Sequence, residues 1–352
     1  MNANTRFREI DISGSPRQMG QQLGEEAREE IRGFHEIALD RVNLTMRVSE
    51  KNALAVAADC LKRVEEYSPD VLEELRGMSD TSGVSTQELM LLQIRNQLQP
   101  DRDGACTSFA VSSKAANSSM VGQNWDNDPA VDPFTIVLTR RPDNEPKFMS
   151  ITQAGLVAYI GVNSAGIGVC MNTLPAPSRM LGVPHYFTLR GIYQSTSLDD
   201  AIEAVHRAKR AIPANLILVT PQGLADFEIT IDNVHVIRDS GSGIVTHTNH
   251  CIHPSLTSVN DDFPELIQSG PRKHRIDELL QKSEKPLRLS SLQKILCDHE
   301  DFPYSICRHN NDHPENGFWT SVFSVIINVD TREMLVSRGN PCQNPYETYQ
   351  LN

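Results

Sequence analysis

The feature that most constrains this chain is an abrupt change of pattern at Asp101-Arg102-Asp103-Gly104. Before it, apolar residues recur at helical spacing. Ser15-Pro16 opens the first run, and Met19, Leu23, Ala27, Ile31 and Phe34 follow three or four residues apart. A second helix is predicted over 53–67, and Ser68-Pro69 restarts a third through Val71, Leu72 and Leu75. Gly77 and Gly83 read as punctuation, and Ser85 leads a fourth helix containing Leu89, Leu91, Leu92 and Ile94. After the change the signal is short strands over 106–112, 119–124, 134–140, 146–152, 156–161 and 167–172, separated by turn formers. Helices near 185–195 and 198–209 interrupt them. Strands resume at 215–220, 224–230, 233–239 and 243–247, and helices near 270–281 and 289–297 precede a last pair at 319–328 and 333–338. Strands gathered in blocks, with helices between the blocks, predict an α+β layered fold rather than a doubly wound one. No glycine-rich phosphate loop follows any strand, so nothing local supports a nucleotide fold.

Charge and cysteine usage narrow the function classes. The formal net charge of −12 disfavours nucleic acid or an anionic membrane surface as a main partner. No stretch approaches the roughly 18 continuous apolar residues of a membrane span. The first residues lack the apolar core of a signal peptide, and the C-terminal Tyr-Gln-Leu-Asn is not a peroxisomal address, so the expected location is the cytoplasm. The 7 cysteines are widely spaced and include no C-x-x-C pair. Most are expected to be small buried residues.

Cys106 stands apart because it sits where the helical region gives way to strands. A chain that cuts itself there would expose Cys106 as a new N-terminus. Its α-amino group would titrate near ~8, close to the thiol at about 8.5, so one residue would supply both nucleophile and base. Ala105 would carry the scissile carbonyl, with Gly104 before it permitting a tight backbone. Thr107 and Ser108 offer hydroxyls beside it.

Two other runs place polar groups at predicted strand ends, and a third, 302–308, lies in a region that reads as loop. Gly122-Gln123-Asn124-Trp125-Asp126 supplies a carboxylate in Asp126. His247-Thr248-Asn249-His250-Cys251 supplies the Asn249 amide, a residue type that serves as an oxyanion donor in acyl transfer. Phe302-Pro303-Tyr304-Ser305-Ile306-Cys307-Arg308 supplies a cation in Arg308, able to pair bidentately with Asp126 or a substrate carboxylate. Two further readings stay open on the residues alone. One is an unprocessed Cys-His hydrolase joining Cys106 to His247 or His250. The other is a non-catalytic metal-binding protein using the histidines and cysteine of 247–253, although no second ligand cluster with finger spacing follows and Cys297, His299, Cys307 and His309 are scattered along the chain.

As a set, the runs 103–107, 122–126, 161–166, 247–251 and 302–308 resemble the penicillin acyltransferase family, named for acyl-coenzyme A:6-aminopenicillanic acid acyltransferase. They keep the family's order and span most of the chain. The resemblance implies an N-terminal-nucleophile hydrolase fold, a four-layer αββα sandwich. It implies a precursor that cleaves itself between Ala105 and Cys106 into a helical chain, 1–105, and a catalytic chain, 106–352, which remain partners. Cys106 is then the nucleophile, Asn249 the oxyanion donor, Asp126 with Arg308 a supporting polar pair, and Ser108 a hydroxyl assisting around the nucleophile. Ala105 departs from the family pattern, which places Gly directly before the nucleophile. The implied chemistry moves acyl groups of small-molecule amides or acyl thioesters and calls for no cofactor or metal.

Overall fold

The structure, a computed structural model, describes residues 5–44, 47–98, 105–263, 268–313 and 317–352. The Asp101–Gly104 changeover therefore lies outside the described residues. Strand β1 (Arg8–Gly14) precedes five helices, α1 (Pro16–Glu26), α2 (Arg28–Val42), α3 (Glu50–Tyr67), α4 (Pro69–Ser82) and α5 (Thr86–Leu98). Pro16 takes a first-turn position in α1, and Gln18 Oε1 accepts from the Ser15 backbone N–H at 3.0 Å. Gly77 does not break a helix. It lies inside α4, where a Cβ would stand 2.2 Å from the Arg17 carbonyl oxygen, and a Cβ on Gly20 of α1 would stand 2.0 Å from the Glu74 carbonyl oxygen. These glycines let α1 and α4 cross backbone to backbone. Gly83 does end α4, in the left-handed conformation at φ 80°.

The remainder runs β2 (Ala105–Val111), β3 (Met120–Asn127), β4 (Thr135–Pro142), β5 (Phe148–Gln153), β6 (Ile160–Asn163), β7 (Gly168–Thr173), α6 (His185–Tyr193), α7 (Leu198–Arg207), β8 (Ala214–Thr220), β9 (Gly223–Ile229), β10 (Val234–Arg238) and β11 (Ile244–His247). A helical turn α8 (Val259–Asp262), helices α9 (Ser269–Lys282) and α10 (Leu289–Leu296), and strands β12 (Thr320–Asn328), β13 (Glu333–Arg338) and β14 (Glu347–Gln350) complete it. Among the described residues these strands form an 8-stranded sheet, ordered β1-β4-β5-β6-β7-β8-β9-β10, and a 6-stranded sheet, ordered β11-β2-β3-β12-β13-β14. Pairing is antiparallel except between β1 and β4, which run parallel.

Alternation along β2 and β3 separates two cores. Cys106, Ala110, Val121 and Trp125 belong to the large core shared with the 8-stranded sheet. Phe109, Val111 and Met120 pack instead against Ile276 and Leu280 of α9 and Leu292 and Leu296 of α10. The outer face of the 8-stranded sheet is covered by N-terminal helices through residues such as Met19, Leu23 and Ile31. The order is helix, sheet, sheet, helix, the αββα arrangement expected above. Within it, Glu74 of α4 is fully buried and ion-pairs with Arg140 of β4 at 2.7 Å and Arg190 of α6 at 2.8 Å. Burial pushes the Glu74 carboxyl up, but the two guanidinium groups outweigh it and hold the group below its ordinary range. Among the described residues, no helix is long and apolar enough to cross a membrane.

Candidate active site

Cys106 is the second residue of β2, an interior strand flanked by β11 and β3. In register it faces Trp125, with Ala105 opposite Asp126 and Ser108 opposite both Gln123 and His247. The ladder thus brings three of the predicted runs to one end of one sheet. Cys106 is buried, and its backbone N–H donates to Asn249 Oδ1 at 2.8 Å.

Asn249 lies two residues past β11 and is held from several sides. Its own N–H donates to Ser269 Oγ at 2.6 Å. Its Nδ2 donates to the carbonyl and the hydroxyl of Thr173, both at 3.0 Å. The amide orientation follows from these partners, since Oδ1 faces two donors and Nδ2 two acceptors. Ser108, expected around the nucleophile, donates to Asn172 Oδ1 at 2.5 Å, and Asn172 Nδ2 donates to the Thr248 carbonyl at 2.9 Å. The Ser108 hydroxyl therefore braces the loop that carries Asn249 and links the two sheets.

Asp126 is completely buried, and Asp126 Oδ1 accepts from Ser321 Oγ at 2.6 Å. Burial pushes its carboxyl up to about 6, against the pull of Arg272, the Ser321 hydrogen bond and Arg308. Arg308 is also buried, and burial pushes its guanidinium down to about 10 although Asp126 pulls the other way. Of the two partners expected for Arg308, Asp126 or a substrate carboxylate, the bidentate pair with Asp126 is not formed. Ser321 joins Asp126 to the main chain of Arg308: its hydroxyl donates to Asp126 and accepts from the Arg308 backbone N–H at 3.1 Å, and its own N–H donates to the Arg308 carbonyl at 3.0 Å. The side-chain nitrogens of Arg308 and Asp126 Oδ2 have no hydrogen-bond partner among the described residues. The Arg308 guanidinium lies 5.4 Å from the Tyr304 ring centre. Ser321 also lines a cavity of about 470 Å³ with Thr320, Arg338 and Asn340.

Arg272 of α9, which sequence reasoning missed, ties the site together. Its guanidinium donates to the Cys106 carbonyl, to Thr107 Oγ1 at 2.8 Å and to Asn249 Oδ1 at 2.9 Å. A signal for it exists in the helix pattern. The buried positions of α9 are Ser269, Arg272, Ile276 and Leu280, so an arginine occupies the apolar stripe. Arg275, one position off that stripe, pairs instead with Glu278, Asp298 and Glu300.

Of the histidines of the 247–251 run, His247 serves the scaffold. His247 is buried, with Nε2 2.9 Å from Glu228 Oε1 and Nδ1 2.8 Å from the Thr248 carbonyl, which Nδ1 reaches as a donor. Burial pulls its pKa down, but Asp226 and Glu228 outweigh that and raise it. Glu228 also accepts from the backbone of Ile252 and His253, shaping the turn after Asn249. His247 is thus committed to Glu228 and not to the Cys106 thiol. His250 Nδ1 lies 2.7 Å from Ser269 Oγ. His253 Nδ1 accepts from Ser255, and Cys251 is buried with its thiol pushed up to about 12, so the run does not gather into a ligand set.

A family model for acyl-coenzyme A:6-aminopenicillanic acid acyl-transferase matches residues 113–336. The chain is 25% identical over 349 residues to the 40 kDa form of acyl-coenzyme A:6-aminopenicillanic-acid-acyltransferase from Emericella nidulans, covering 97% of this chain and 95% of the relative. Among solved structures it is similar to penicillin V acylase from Agrobacterium tumefaciens, with a TM-score of 0.44 and 12% identity over 66% of this chain and 83% of that one. It is also similar to a mutant of conjugated bile acid hydrolase from Clostridium perfringens, with a TM-score of 0.45 and 11% identity over 70% of this chain and 97% of that one. The span matched by the family model contains Asp126, Asn249, Arg272 and Arg308 and begins after Cys106.

Proposed function

The chain belongs to the acyl-coenzyme A:6-aminopenicillanic acid acyl-transferase family, and from that premise we propose that it is a self-processing cysteine enzyme of the N-terminal-nucleophile type that hydrolyses or transfers acyl groups. The observation that carries this reading is the backbone nitrogen of Cys106. At an interior strand's start it is held by Asn249 Oδ1, while Arg272 holds both the Cys106 carbonyl and the same Asn249 oxygen. Any buried backbone N–H needs an acceptor. Here the acceptor is a side-chain amide oxygen, a contact that a terminal amine on Cys106 could keep after the chain is cut.

Activation begins with Cys106 Sγ attacking the Ala105 carbonyl. The Ala105–Cys106 C–N bond breaks, a thioester forms, and the proton lost by sulfur passes to the leaving nitrogen. Water then cleaves the thioester, leaving a carboxylate on Ala105 and a free amine and thiol on Cys106. In the mature enzyme that amine takes the thiol proton, and the thiolate attacks the substrate carbonyl. The developing oxyanion is met by Asn249 Nδ2, for which the rotatable Thr173 hydroxyl gives way. The ammonium returns its proton to the leaving group. Water or an amine then resolves the acyl-Cys106 thioester. Asp126, between Arg272 and Arg308, offsets the positive charge that develops at the nitrogen end of Cys106.

The substrate class is a small-molecule amide or acyl thioester. The net charge of −12 gives polyphosphate-bearing thioesters no general attraction, which favours amide hydrolysis as the resting activity. The test is the intact mass of the purified protein under denaturing conditions. Two chains, 1–105 and 106–352, are expected from the wild type and one uncut, inactive chain from Cys106→Ala. Amidase and acyltransferase activity undiminished in Cys106→Ala would end the proposal.

A further inference from the structure

Four residues that are scattered in sequence come together beside the site. His299 lies just past α10, Cys307 and His309 flank Arg308, and Cys342 lies in the turn after β13. His299 Nε2 and His309 Nε2 are 3.1 Å apart, and Cys307 Sγ and Cys342 Sγ are 3.6 Å apart. His309 Nε2 is 3.4 Å from Cys342 Sγ and 3.7 Å from Cys307 Sγ, and all four atoms lie within 4.8 Å of one another.

Hydrogen bonding among these groups does not account for that arrangement. His309 Nε2 has three polar neighbours, yet a ring nitrogen offers one proton or one lone pair. A single central cation would give all four atoms a partner at once. Zinc bonds of about 2.3 Å to sulfur and 2.0–2.1 Å to nitrogen, in a tetrahedron, imply ligand–ligand edges of about 3.8 Å for S–S, 3.6 Å for S–N and 3.3 Å for N–N. Four of the six edges agree with these to within about 0.3 Å, and the two from His299 Nε2 to the sulfurs lie within 4.8 Å. Two thiolates with two imidazoles are a donor set suited to zinc and unsuited to calcium or magnesium.

The surroundings also fit. Asn340 Nδ2 lies 3.6 Å from Cys307 Sγ and donates to the Arg308 carbonyl at 2.6 Å, an outer contact of the kind that orients a ligand. The exposed ring of Phe302 packs on both imidazoles, with centroids 6.2 Å from His299 and 5.3 Å from His309. His299 and Cys342 are exposed, which leaves a path for entry.

We propose that His299, Cys307, His309 and Cys342 form a structural zinc site. Four protein ligands complete the tetrahedron, so the ion fixes the loop and does not bind substrate. Two of those ligands bracket Arg308, so zinc would also position that side chain. This consequence, unlike the site itself, rests on the catalytic reading above.

The test is metal content and cobalt spectroscopy on the full-length protein, purified with a thiol reductant and without chelator, then equilibrated with zinc and desalted. One zinc per chain is expected. Cobalt exchanged into the site should give the visible bands of a tetrahedral ion and a thiolate-to-cobalt charge-transfer band. Cys342→Ser and His299→Ala, both at exposed positions, should retain the folded circular dichroism spectrum and drop to less than a tenth of an equivalent. Cys251→Ser should keep the full equivalent. Wild type without retained zinc, full retention in Cys342→Ser, a cobalt spectrum without the thiolate band, loss of zinc in Cys251→Ser, or a Cys307–Cys342 disulfide in the reduced preparation would each overturn the proposal. All of these readouts are independent of whether Cys106 is catalytic.

Discussion

Asp126 is the residue whose titration should be visible in the kinetics. Burial pushes its carboxyl up to about 6, from an ordinary value of 3.8, with Arg272 and Arg308 opposing. Between those two values the folded protein holds a proton that the unfolded chain has released. The group therefore contributes to stability at low pH, and that contribution is lost as pH rises through about 6. If the carboxylate is the form that balances charge at the Cys106 nitrogen, kcat/KM should rise with pH through a midpoint near 6. Asp126→Asn should abolish that acid limb and lower the plateau. Asp226 is also pushed up to about 6, but its neighbours are Asn215 and His247. Asp226→Asn is the control and should leave the limb in place. A limb that survives in Asp126→Asn and disappears in Asp226→Asn would reverse the assignment. At this scale the sequence was legible where a side chain's role is local to its run. Cys106, Asn249 and Asp126 stand out at strand ends and Arg308 in a compact loop run, and the fold brings them together. Arg272, Thr173 and Ser321 did not stand out, because their importance comes from partners far away in sequence. The direct hydrogen bond of Asp126 was hidden for the same reason, since its partner Ser321 belongs to a strand that neither run announces.

Most elements whose core face follows a regular period are observed within a few residues of the expected bounds, but the single run that opens at Pro16 is two helices, α1 and α2, which meet at Ala27. Strand β2, expected over 106–112, is observed as Ala105–Val111, and β13 has the bounds expected. Strand β1 was missed. Its burial alternates, but only Ile10 and Ile12 are buried apolar residues, and it adjoins a strong helix start. Such an edge strand is specified by its partner β4 more than by its own sequence. From sequence alone Gly77 reads as a break, because a glycine in a helical pattern has two meanings, an end or a close approach, and only the packing of α1 on α4 tells which. That packing supports a prediction. Ala in place of Gly20 gains up to about 1 kcal/mol of helix propensity. The added Cβ would meet the Glu74 carbonyl oxygen at 2.0 Å, and backbone on both sides leaves nothing flexible to yield. Overpacking of this kind costs about 1–3 kcal/mol, so Gly20→Ala should be destabilising overall. A urea titration of wild type and variant reads the sign, and an unchanged or higher midpoint would contradict backbone contact at this crossing.

At the scale of the whole molecule, cutting before Cys106 should separate covalent halves without separating the protein. The segment that precedes Cys106 is not an appended helical region. It contributes β1, hydrogen-bonded to β4 along Arg8–Gly14 and Ile136–Pro142, and Met19, Leu23, Ile31 and Phe34 to the main core. It also contributes Glu74, fully buried between Arg140 and Arg190 of the other segment. On the proposed mechanism, the cut protein should accordingly run as one particle under native conditions and as two chains only when denatured, which native and denaturing mass measurements distinguish. Glu74 is the residue on which to test the junction. Removing one partner from a buried ion network strands the remaining charges in the interior, at a cost of about 3–5 kcal/mol. Glu74→Ala would leave two buried guanidinium groups with no carboxylate between them. The variant is expected to lose the 1–105 chain at denaturant concentrations where the wild type keeps it. Glu74→Gln, which preserves shape but not charge, should fall in between. Equal retention of the 1–105 chain across all three proteins would place the cohesion in the apolar core and the β1–β4 pairing alone, and the ion network would then be a device for orienting α4 rather than for holding two chains together.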